Sequence, residues 1–412
     1  MTSTVEFTRD YVDFCQQRLA NPYPLFDRLR EEDPVHWCKT MQCWLVTRYD
    51  DVFDNVRDPR LSSSRSGLYM DNLRPENREK AKPLLDHLSK WMLNVDPPDH
   101  TRLRRLVNAA FSPRMLKSLE PRIEQLVDRL LDNVCRARRV DFVRDFSYRL
   151  TATVICQMLG VPSEMQDNFR AGAEILMNFS SAAGPRLNDH VGTARKSLKE
   201  LISSFDHLIE SRNANPQDDL ISAMLAVNES NDRFSREELF AMCVFLFVAG
   251  HETTMSIISS GMMMLIQNRD QYDLLKHDPR SLATTAMEEF VRLESSVTRG
   301  VRMAKENIEL RGRVISKGQT IVNVLGAANR DPRQFHDPDI VDIQREPNKH
   351  LGFGFGPHFC LGAPLARLEA GIAFRNIAQR KLEFRITCES LTWRANLGIR
   401  TLSALPLELI TS

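Results

Sequence analysis

The sequence has 412 residues, with 55 lysines and arginines against 54 aspartates and glutamates, and 42% of its residues are hydrophobic. A chain of this length can bury a large core, and its near-neutral charge argues against a nucleic-acid-binding protein, whose basic face usually shows in the charge balance. The eight cysteines follow no repeating spacing, which indicates reduced thiols of a cytoplasmic protein rather than a disulfide scaffold.

Targeting segments and linkers are not evident in the sequence. Acidic and polar residues stand at the N-terminus, where a signal peptide needs an apolar segment. The longest apolar run, Leu239–Gly250, has about half the length that a membrane span requires. No internal repeat or low-complexity linker divides the chain. We therefore expect one domain over residues 1–412, cytoplasmic and without a membrane anchor.

Helices and short strands mix at the start of the chain, and helices dominate its middle. Residues 23–32 have the pattern of a short helix, and strand-like pieces follow at 36–39 and 43–46 around a turn. From about residue 96 to 280, apolar residues recur at three- and four-residue steps, which predicts helices.

The longest predicted helix begins after Ser235, which forms a capping-box pattern with Glu238. Apolar residues then continue on nearly every face, which indicates a buried central helix. Short strands are predicted at 300–325 and 382–410, and prolines and glycines interrupt 331–364. The whole pattern predicts a mainly α fold with a small β part.

The segment LGFGFGPHFCLGAPLAR, residues 351–367, surrounds Cys360 with glycines and places His358 two residues before it. Zinc would need a second Cys or His pair at ligand spacing, which the sequence lacks. A single cysteine is usually a buried structural residue, but that role does not explain the glycines. Glycines permit positive φ and let the backbone approach a flat ligand closely. A helix predicted directly after Cys360 would favour its thiolate. Such a thiolate suits an axial ligand of haem iron.

The segment AGHETT, residues 249–254, lies within the longest predicted helix. A helical threonine such as Thr253 usually bonds to the carbonyl four residues earlier, here that of Ala249. An acid such as Glu252 in a buried apolar helix is harder to explain, because an unpaired buried carboxylate is costly. These residues alone leave a structural and a functional role equally open.

FGFGPHFCLG resembles the haem-binding signature of the cytochrome P450 family, F-x-x-G-x-x-x-C-x-G, at Phe353, Gly356, Cys360 and Gly362. The resemblance implies that Cys360 is the proximal thiolate ligand of haem b, with Phe353, Gly354 and Gly362 beside it. Other family-like segments occur in the expected order over essentially the whole chain. The family's fold is triangular and mainly helical, with haem between the long central helix and the helix after the cysteine loop.

The same resemblance implies a distal site on the AGHETT helix. Glu252 and Thr253 match the family's acid–alcohol pair, which relays protons to bound dioxygen. Ala249 and Gly250 would lie against the haem, and Gly250 would leave room for the oxygen molecule.

Four basic residues match family positions that bind the two haem propionates, namely His100, Arg104, Arg302 and His358. The first two lie four residues apart, on one face of a helix that Asp96 and Pro97 can start. The neighbouring Arg102 and Arg105, with Lys349, are candidate docking charges for an electron donor, although an ordinary solvated surface is the simpler interpretation.

The segment EEFVR places Glu289 and Arg292 on one helix face, where most such pairs are exposed salt bridges. The pair resembles the family's E-x-x-R, a buried pair that braces the surroundings of the cysteine loop. Ile340 stands where many relatives have an arginine that completes a triad, which leaves Arg345 as the candidate third partner.

The resemblance also implies where substrate binds. The segments 62–94 and 172–190 should line the pocket, with smaller contributions from Phe245, Val248, Ala249, Val297, Thr298, Leu397 and Ile399. This mixture of apolar and aromatic residues suits a medium-sized lipophilic molecule, and it does not separate a steroid, a terpene, a polyketide or a peptide-derived substrate.

The implied activity is that of a soluble bacterial haem-thiolate monooxygenase. It would insert one oxygen atom from dioxygen into a C–H or C=C bond of a lipophilic molecule, in secondary metabolism or in xenobiotic or lipid oxidation. A ferredoxin or flavodoxin with an NAD(P)H-dependent reductase would supply electrons to the monomer. Alternatives are peroxide-driven oxidation, oxidative ring coupling, or a non-catalytic haem-binding sensor. The Glu252–Thr253 pair argues against dedicated peroxide use, and no segment is left for a sensor's output module.

Overall fold

The computed structural model describes residues 16–181, 187–227, 232–396 and 398–410. The helices of this part of the chain are α1 (Gln16–Ala20), α2 (Tyr23–Glu32), α3 (Tyr49–Asn55), α4 (Ser66–Asn72), α5 (Pro75–Leu88), α6 (Asp99–Ala110), α7 (Pro113–Ala137), α8 (Tyr148–Leu159), α9 (Gln166–Ser181), α10 (Leu187–Ala214), α11 (Leu220–Ala226), α12 (Arg236–Gln267), α13 (Arg269–His277), α14 (Pro279–Leu293), α15 (Leu325–Ala328) and α16 (Ala363–Gln379). The strands are β1 (Val35–Cys38), β2 (Cys43–Val46), β3 (Leu61–Ser62), β4 (Arg139–Asp141), β5 (Arg299–Ala304), β6 (Ile308–Leu310), β7 (Arg313–Ile315), β8 (Thr320–Val324), β9 (Glu383–Ile386) and β10 (Pro406–Ile410).

The chain divides into two compact units, each built from separate stretches of sequence. The first unit takes its described residues from Met1–Leu61, Glu120–Thr151 and Glu252–Ser412. The second takes them from Ser62–Leu119 and Ala152–His251. The single domain expected over residues 1–412 stays a prediction.

The larger sheet has the strand order β1-β2-β8-β5-β3. β1 and β2 form an antiparallel hairpin, while β8 runs parallel to β2 and antiparallel to β5. The hairpin confirms the two strand-like pieces, the first of which begins one residue before its predicted start. A cluster of buried side chains that includes Tyr23 and Phe26 of α2 and Leu45 of β2 forms part of the core.

Two smaller sheets complete the β part. One has the order β4-β10-β9, and the other is the hairpin of β6 and β7. The strands predicted at 300–325 and 382–410 are therefore confirmed. An isolated antiparallel bridge also joins Val297 to Ile399.

Helix α12 begins with the predicted capping box. The backbone N–H of Ser235 donates to Glu238 Oε2 at 2.8 Å, and the N–H of Glu238 donates to Ser235 Oγ at 3.2 Å. The helix runs for 32 residues, through AGHETT to Gln267, which confirms the longest predicted helix. Among the described helices it has the length and composition to cross a membrane, and 78% of its most apolar window is buried inside the protein. Such burial is typical of a core helix.

Glycines let the two parts of α12 pack closely within their own units. In the first unit, a Cβ at Gly261 would lie 2.4 Å from Phe374 Cζ and 2.5 Å from Phe290 Cδ2. In the second unit, a Cβ at Gly250 would lie 2.6 Å from Ile155 Cδ1. Real Cβ atoms do not approach other atoms this closely, so a side chain at either position would force a neighbouring side chain to shift.

Candidate functional site

The cysteine loop leads directly into α16. Cys360 stands three residues before Ala363, the first residue of the helix, which confirms the helix predicted after the thiol. The Cys360 N–H donates to the carbonyl of Phe353 at 2.9 Å, which closes the loop on itself. Gly354 and Gly356 have φ values of +69° and +73°, a conformation that side-chain-bearing residues rarely adopt.

The Cys360 sulfur can act as a single metal ligand. The side chain is partly exposed, and Gly362 lies directly beside it, because a Cβ at Gly362 would be 4.0 Å from Cys360 Sγ. Within the described residues, no group of three or more His, Cys, Asp or Glu side chains could hold a metal ion. One soft, partly exposed sulfur at the start of a helix matches the single protein ligand of a haem-thiolate site.

A charged cluster stands behind the loop and contacts Phe353. Glu288 on α14 bonds to His350 Nε2 at 2.7 Å and accepts a hydrogen bond from Arg367 Nε. The Gly352 N–H donates to His350 Nδ1 at 3.1 Å, so the two ring nitrogens of His350 link the cysteine loop to Glu288. The Arg367 guanidinium lies 4.9 Å from the centre of the Phe353 ring.

The cluster is held together by a carboxylate. Burial alone would raise the pKa of Glu288, but hydrogen bonds from His350 and Arg367 outweigh burial and lower it to about 2. Glu288 is therefore ionised at neutral pH and fixes two residues that contact the Phe353 ring. The cluster could not be predicted from the sequence, because no spacing joins Glu288 to residues more than sixty positions away.

The E-x-x-R pair is buried and has a third partner. The Glu289 and Arg292 side chains are both 0% exposed and form two hydrogen bonds of 2.8 Å. Arg345 Nε approaches both Glu289 oxygens, at 3.1 and 3.2 Å. The carbonyl of Ile340 accepts from both arginines at 3.3 Å. Arg345 thus completes a triad although Ile340 occupies the usual arginine position.

On α12 in the first unit, Glu252 is buried and forms an ion pair. Its Oε1 accepts from Arg394 Nη1 at 3.1 Å, where the Glu252 side chain is 5% exposed and that of Arg394 34%. The neighbouring carbonyl of Thr253 accepts from Ser296 Oγ at 2.7 Å. The ion pair supplies the charge partner that a buried acid needs. The sequence could not indicate Arg394, which lies 142 positions away.

The preceding turns of α12 belong to the second unit. Phe245 packs its ring against Trp91 with centroids 5.5 Å apart, and Val248 is buried. Ala249 follows, and Gly250 packs against Ile155. The roles of Ala249 and Gly250 beside a haem stay predictions.

The basic residues expected at the propionates lie on three elements. His100 and Arg104 occupy α6 in the second unit, where His100 is 2% exposed. The helix begins at Asp99 rather than at Asp96 and Pro97, and the carbonyl of Asp96 accepts from the His100 N–H at 2.9 Å. In the first unit, the buried Arg302 lies on β5 and His358 on the short turn Gly356–His358.

The two other arginines of α6 are engaged within the second unit. Arg102 contacts Glu238 and lies 3.2 Å from Asp232, and Arg105 lies 2.9 Å from the same aspartate. These ion pairs support the interpretation of Arg102 and Arg105 as ordinary surface charges.

The expected pocket residues are only partly brought together. Val297 pairs with Ile399, and the Thr298 N–H donates to the carbonyl of Gly398 at 3.2 Å, all within the first unit. Leu397 lies outside the described residues. The segments 62–94 and 172–190 both belong to the second unit, and residues 182–186 also lie outside the described part.

Comparisons with known proteins agree over nearly the whole chain. Residues 71–390 match the family model described as Cytochrome P450. The chain belongs to the cytochrome P450 family. The polyketide biosynthesis cytochrome P450 PksS of Bacillus subtilis (strain 168) is 36% identical over 403 residues, 94% of this chain and 96% of that protein. The vitamin D(3) 25-hydroxylase of Pseudonocardia autotrophica is 38% identical over 415 residues, 99% of each chain.

A solved structure confirms the fold of this cytochrome P450. The crystal structure of P450BioI, in complex with an acyl carrier protein ligated to hexadec-9Z-enoic acid, matches with a TM-score of 0.87 and 34% identity. The match covers 96% of this chain and 99% of that chain. The mainly α fold, the haem cofactor and the monooxygenase class expected from the resemblance are therefore confirmed at the level of the family.

Proposed function

We propose that Cys360 is the residue that binds the haem of this cytochrome P450. The observation that carries the assignment is the partly exposed sulfur at the start of α16, beside a glycine whose Cβ would lie 4.0 Å from it. The free N–H groups of the first helical turn favour the thiolate form of such a cysteine. When bound, the haem supplies the iron centre at which dioxygen is reduced and one oxygen atom is transferred.

The haem propionates would pair with His100, Arg104, Arg302 and His358. Two anionic groups held in a pocket need cations or solvent, and His100 and Arg302 are 2% and 7% exposed. Phe353 would support the sulfur from behind, held in place by the cluster of Glu288, His350 and Arg367. Positioning of this kind around a metal ligand tunes the metal it binds.

Glu252 and Thr253 would deliver protons to the oxygen that is being reduced. Glu252 is buried, yet its partner Arg394 is 34% exposed, so the ion pair connects the interior of the protein with solvent. A rotation of the Arg394 side chain would let the Glu252 carboxyl exchange its proton with water. The Thr253 hydroxyl, one residue further along the helix, would pass the proton on.

The substrate would be a lipophilic small molecule, oxidised at a C–H or C=C bond. The residues expected at the substrate include apolar side chains, such as Phe245, Val248 and Ile399. Relatives carry names that refer to a polyketide, to vitamin D(3) and to a fatty acyl group on a carrier protein. All three are largely apolar, which favours this substrate class for the present chain. The enzyme would work as a cytoplasmic monomer with a ferredoxin or flavodoxin and its NAD(P)H-dependent reductase.

Turnover with labelled dioxygen tests this function. Ligands that shift the haem from low to high spin are incubated with ferredoxin, reductase and NADPH, and the products are analysed by mass spectrometry. Monooxygenation predicts one labelled oxygen atom in each product molecule. Coupled products without label would instead show oxidative ring coupling, and turnover only with added peroxide would show a peroxide-driven enzyme.

Two variants test the proposed residues. Cys360→Ala should lose the thiolate-type spectrum of the ferrous–CO complex, and retention of that spectrum would refute the ligand assignment. Thr253→Ala should yield less product and more hydrogen peroxide for each NADPH consumed. Thr254→Ala, which alters the adjacent buried threonine of α12, is the matched control and should leave this ratio near that of the unmodified enzyme. Equal ratios in Thr253→Ala and the unmodified enzyme would contradict the proton relay.

A further inference from the structure

Two cysteines face each other at the end of the hairpin formed by β1 and β2. Cys38 is the last residue of β1 and Cys43 the first of β2, and they are direct partners in the antiparallel register. Both are free thiols and both are buried. Directly opposed residues of antiparallel strands have Cα atoms about 4.5–5.5 Å apart, a separation that a disulfide accommodates. Bond formation therefore needs no rearrangement of the strands.

The surroundings give the two thiols different roles. The hydrogen bond from Cys43, followed by those from the backbone N–H groups of Met41 and Thr40, lowers the pKa of Cys38 to about 7 against the effect of burial. The same hydrogen bond, together with burial, raises the pKa of Cys43 well above its usual value. Cys38 is thus the group that forms a thiolate, and Cys43 is the thiol that donates to it.

Two basic residues favour ionisation of the pair. His36, two residues before Cys38 on β1, is bonded through Nδ1 to Asp33 Oδ2 at 2.9 Å and contributes to the lowered pKa of Cys38. Arg299, on β5, favours ionisation of Cys43. A thiol with a lowered pKa and a second thiol in contact has the two groups that peroxide oxidation to a disulfide requires.

We propose that Cys38 and Cys43 are a peroxide-reactive dithiol site that closes to a disulfide. The Cys38 thiolate attacks one oxygen of hydrogen peroxide, so that an S–O bond forms, the O–O bond breaks, and the departing hydroxide takes up the thiol proton as water. Cys43 then attacks the Cys38 sulfur, the S–O bond breaks, and a second water leaves with the Cys43 proton. The two sulfurs together lose two electrons, which the peroxide gains. A small dithiol reverses the change.

The proposed function supplies a source of peroxide. Haem bound at the proposed site would supply the reduction of dioxygen, and oxygen reduced without oxidation of substrate would leave as hydrogen peroxide, so the enzyme would expose the site to its own oxidant. Both thiols are buried, so the reaction requires a local opening of the turn between the strands, which is exposed at Lys39 and Thr40. The site would then respond to turnover that fails to oxidise substrate.

Other buried cysteines provide internal controls. Burial raises the pKa of Cys156 to about 12 and that of Cys243 still further, so neither forms a thiolate at neutral pH. A peroxide-reactive site defined by geometry and environment should leave these two thiols reduced while the hairpin pair is oxidised.

Trypsin separates the two cysteines, which makes the product easy to detect. Cleavage after Arg30, Lys39 and Arg48 places Cys38 in EEDPVHWCK and Cys43 in TMQCWLVTR. The haem-loaded enzyme is treated with hydrogen peroxide or diamide, free thiols are alkylated, and the digest is analysed without reductant. We expect the two peptides as a linked pair that a dithiol releases. Absence of the linked pair under both oxidants would overturn the proposal, as would its appearance only in denaturant.

Single variants test the division of roles. In Cys43→Ser, Cys38 should remain as a sulfenic acid that a dimedone probe labels. In Cys38→Ser, Cys43 should stay unlabelled at the level of Cys243. Equal labelling of Cys38 and Cys43 would overturn the assigned roles. The pair is also examined after turnover without substrate. Oxidation that catalase suppresses several-fold would confirm the enzyme's own peroxide as the oxidant. An unchanged thiol pair would refute that source.

Discussion

Replacement of Arg345 by methionine tests the buried charge triad. Arg345 Nε lies 3.1 and 3.2 Å from the two oxygens of Glu289, and its side chain is 10% exposed. Methionine keeps about the length and volume of the aliphatic part of the arginine side chain and removes the guanidinium. Glu289 keeps both hydrogen bonds to Arg292. The expected cost is therefore smaller than the roughly 3–5 kcal/mol of a buried charge that loses its only partner.

The magnitude follows from the contacts that are lost. Arg345 makes one shared charged hydrogen bond to Glu289 and also donates to the carbonyl of His336 at 2.7 Å and, at 3.2 and 3.3 Å, to those of Asp337 and Ile340 near the surface. Charged hydrogen bonds contribute about 1.5–3 kcal/mol each, and partial access of water reduces the sum. We expect a loss of about 2–3 kcal/mol in the free energy of unfolding. For 412 residues, an unfolding entropy of about 2.1 cal/mol/K per residue converts this into a fall of roughly 3 °C in Tm.

Denaturant and thermal unfolding of the haem-loaded enzyme measure this effect. Arg313→Met is the matched control, because Arg313 is 56% exposed and lies 3.4 Å from Asp33, so its loss should cost less than about 0.5 kcal/mol. A double-mutant cycle that combines Arg345→Met with Glu289→Gln isolates the pair. A coupling free energy below about 0.5 kcal/mol would refute Arg345 as the third member of the triad.

Two further predictions concern packing and pH. Glu288→Gln should lower the free energy of unfolding by up to about 3 kcal/mol at pH 7, since the Glu288 pKa falls from its usual 4.5 to about 2 in the folded protein. A carboxyl group with a depressed pKa stabilises the folded protein at pH values above its unfolded pKa, and less as pH falls. The free energy of unfolding of the variant should therefore differ from that of the unmodified enzyme by a constant amount from pH 7 to about pH 5, and by less at pH 3. A difference that increased toward low pH would contradict the role of this carboxylate, which His350 and Arg367 hold. Gly261→Ala should destabilise the protein by about 1–3 kcal/mol or more through overpacking. The control Gly192→Ala lies in a helix with no atom within 4 Å of the added methyl, and it should stabilise the protein by up to about 1 kcal/mol. Equal Tm values for the two variants would refute the packing argument.

Features that depend on neighbouring residues could be predicted from the sequence. The capping box of Ser235 and Glu238, the helix Tyr23–Glu32 and the helix after Cys360 all formed as expected. Capping hydrogen bonds and amphipathic spacing act within one or two turns, so a single segment contains the whole signal. The family signature around Cys360 is local for the same reason. Predicted helix boundaries were less exact. Helix α6 begins at Asp99, and Asp96 and the two prolines lie before it in a non-helical segment.

The sequence by itself determined the class of chemistry, because a thiol among glycines and an acid–alcohol pair on an apolar helix are contiguous motifs. Only the tertiary structure decided which charges meet. It joined Arg394 to Glu252, and it chose Arg345 rather than position 340 for the triad. It also paired Cys38 with Cys43, although the spacing of the cysteines in the sequence showed no pattern. Long side chains reach partners from any part of the chain, and strand register selects opposed residues. Both outcomes depend on packing in three dimensions.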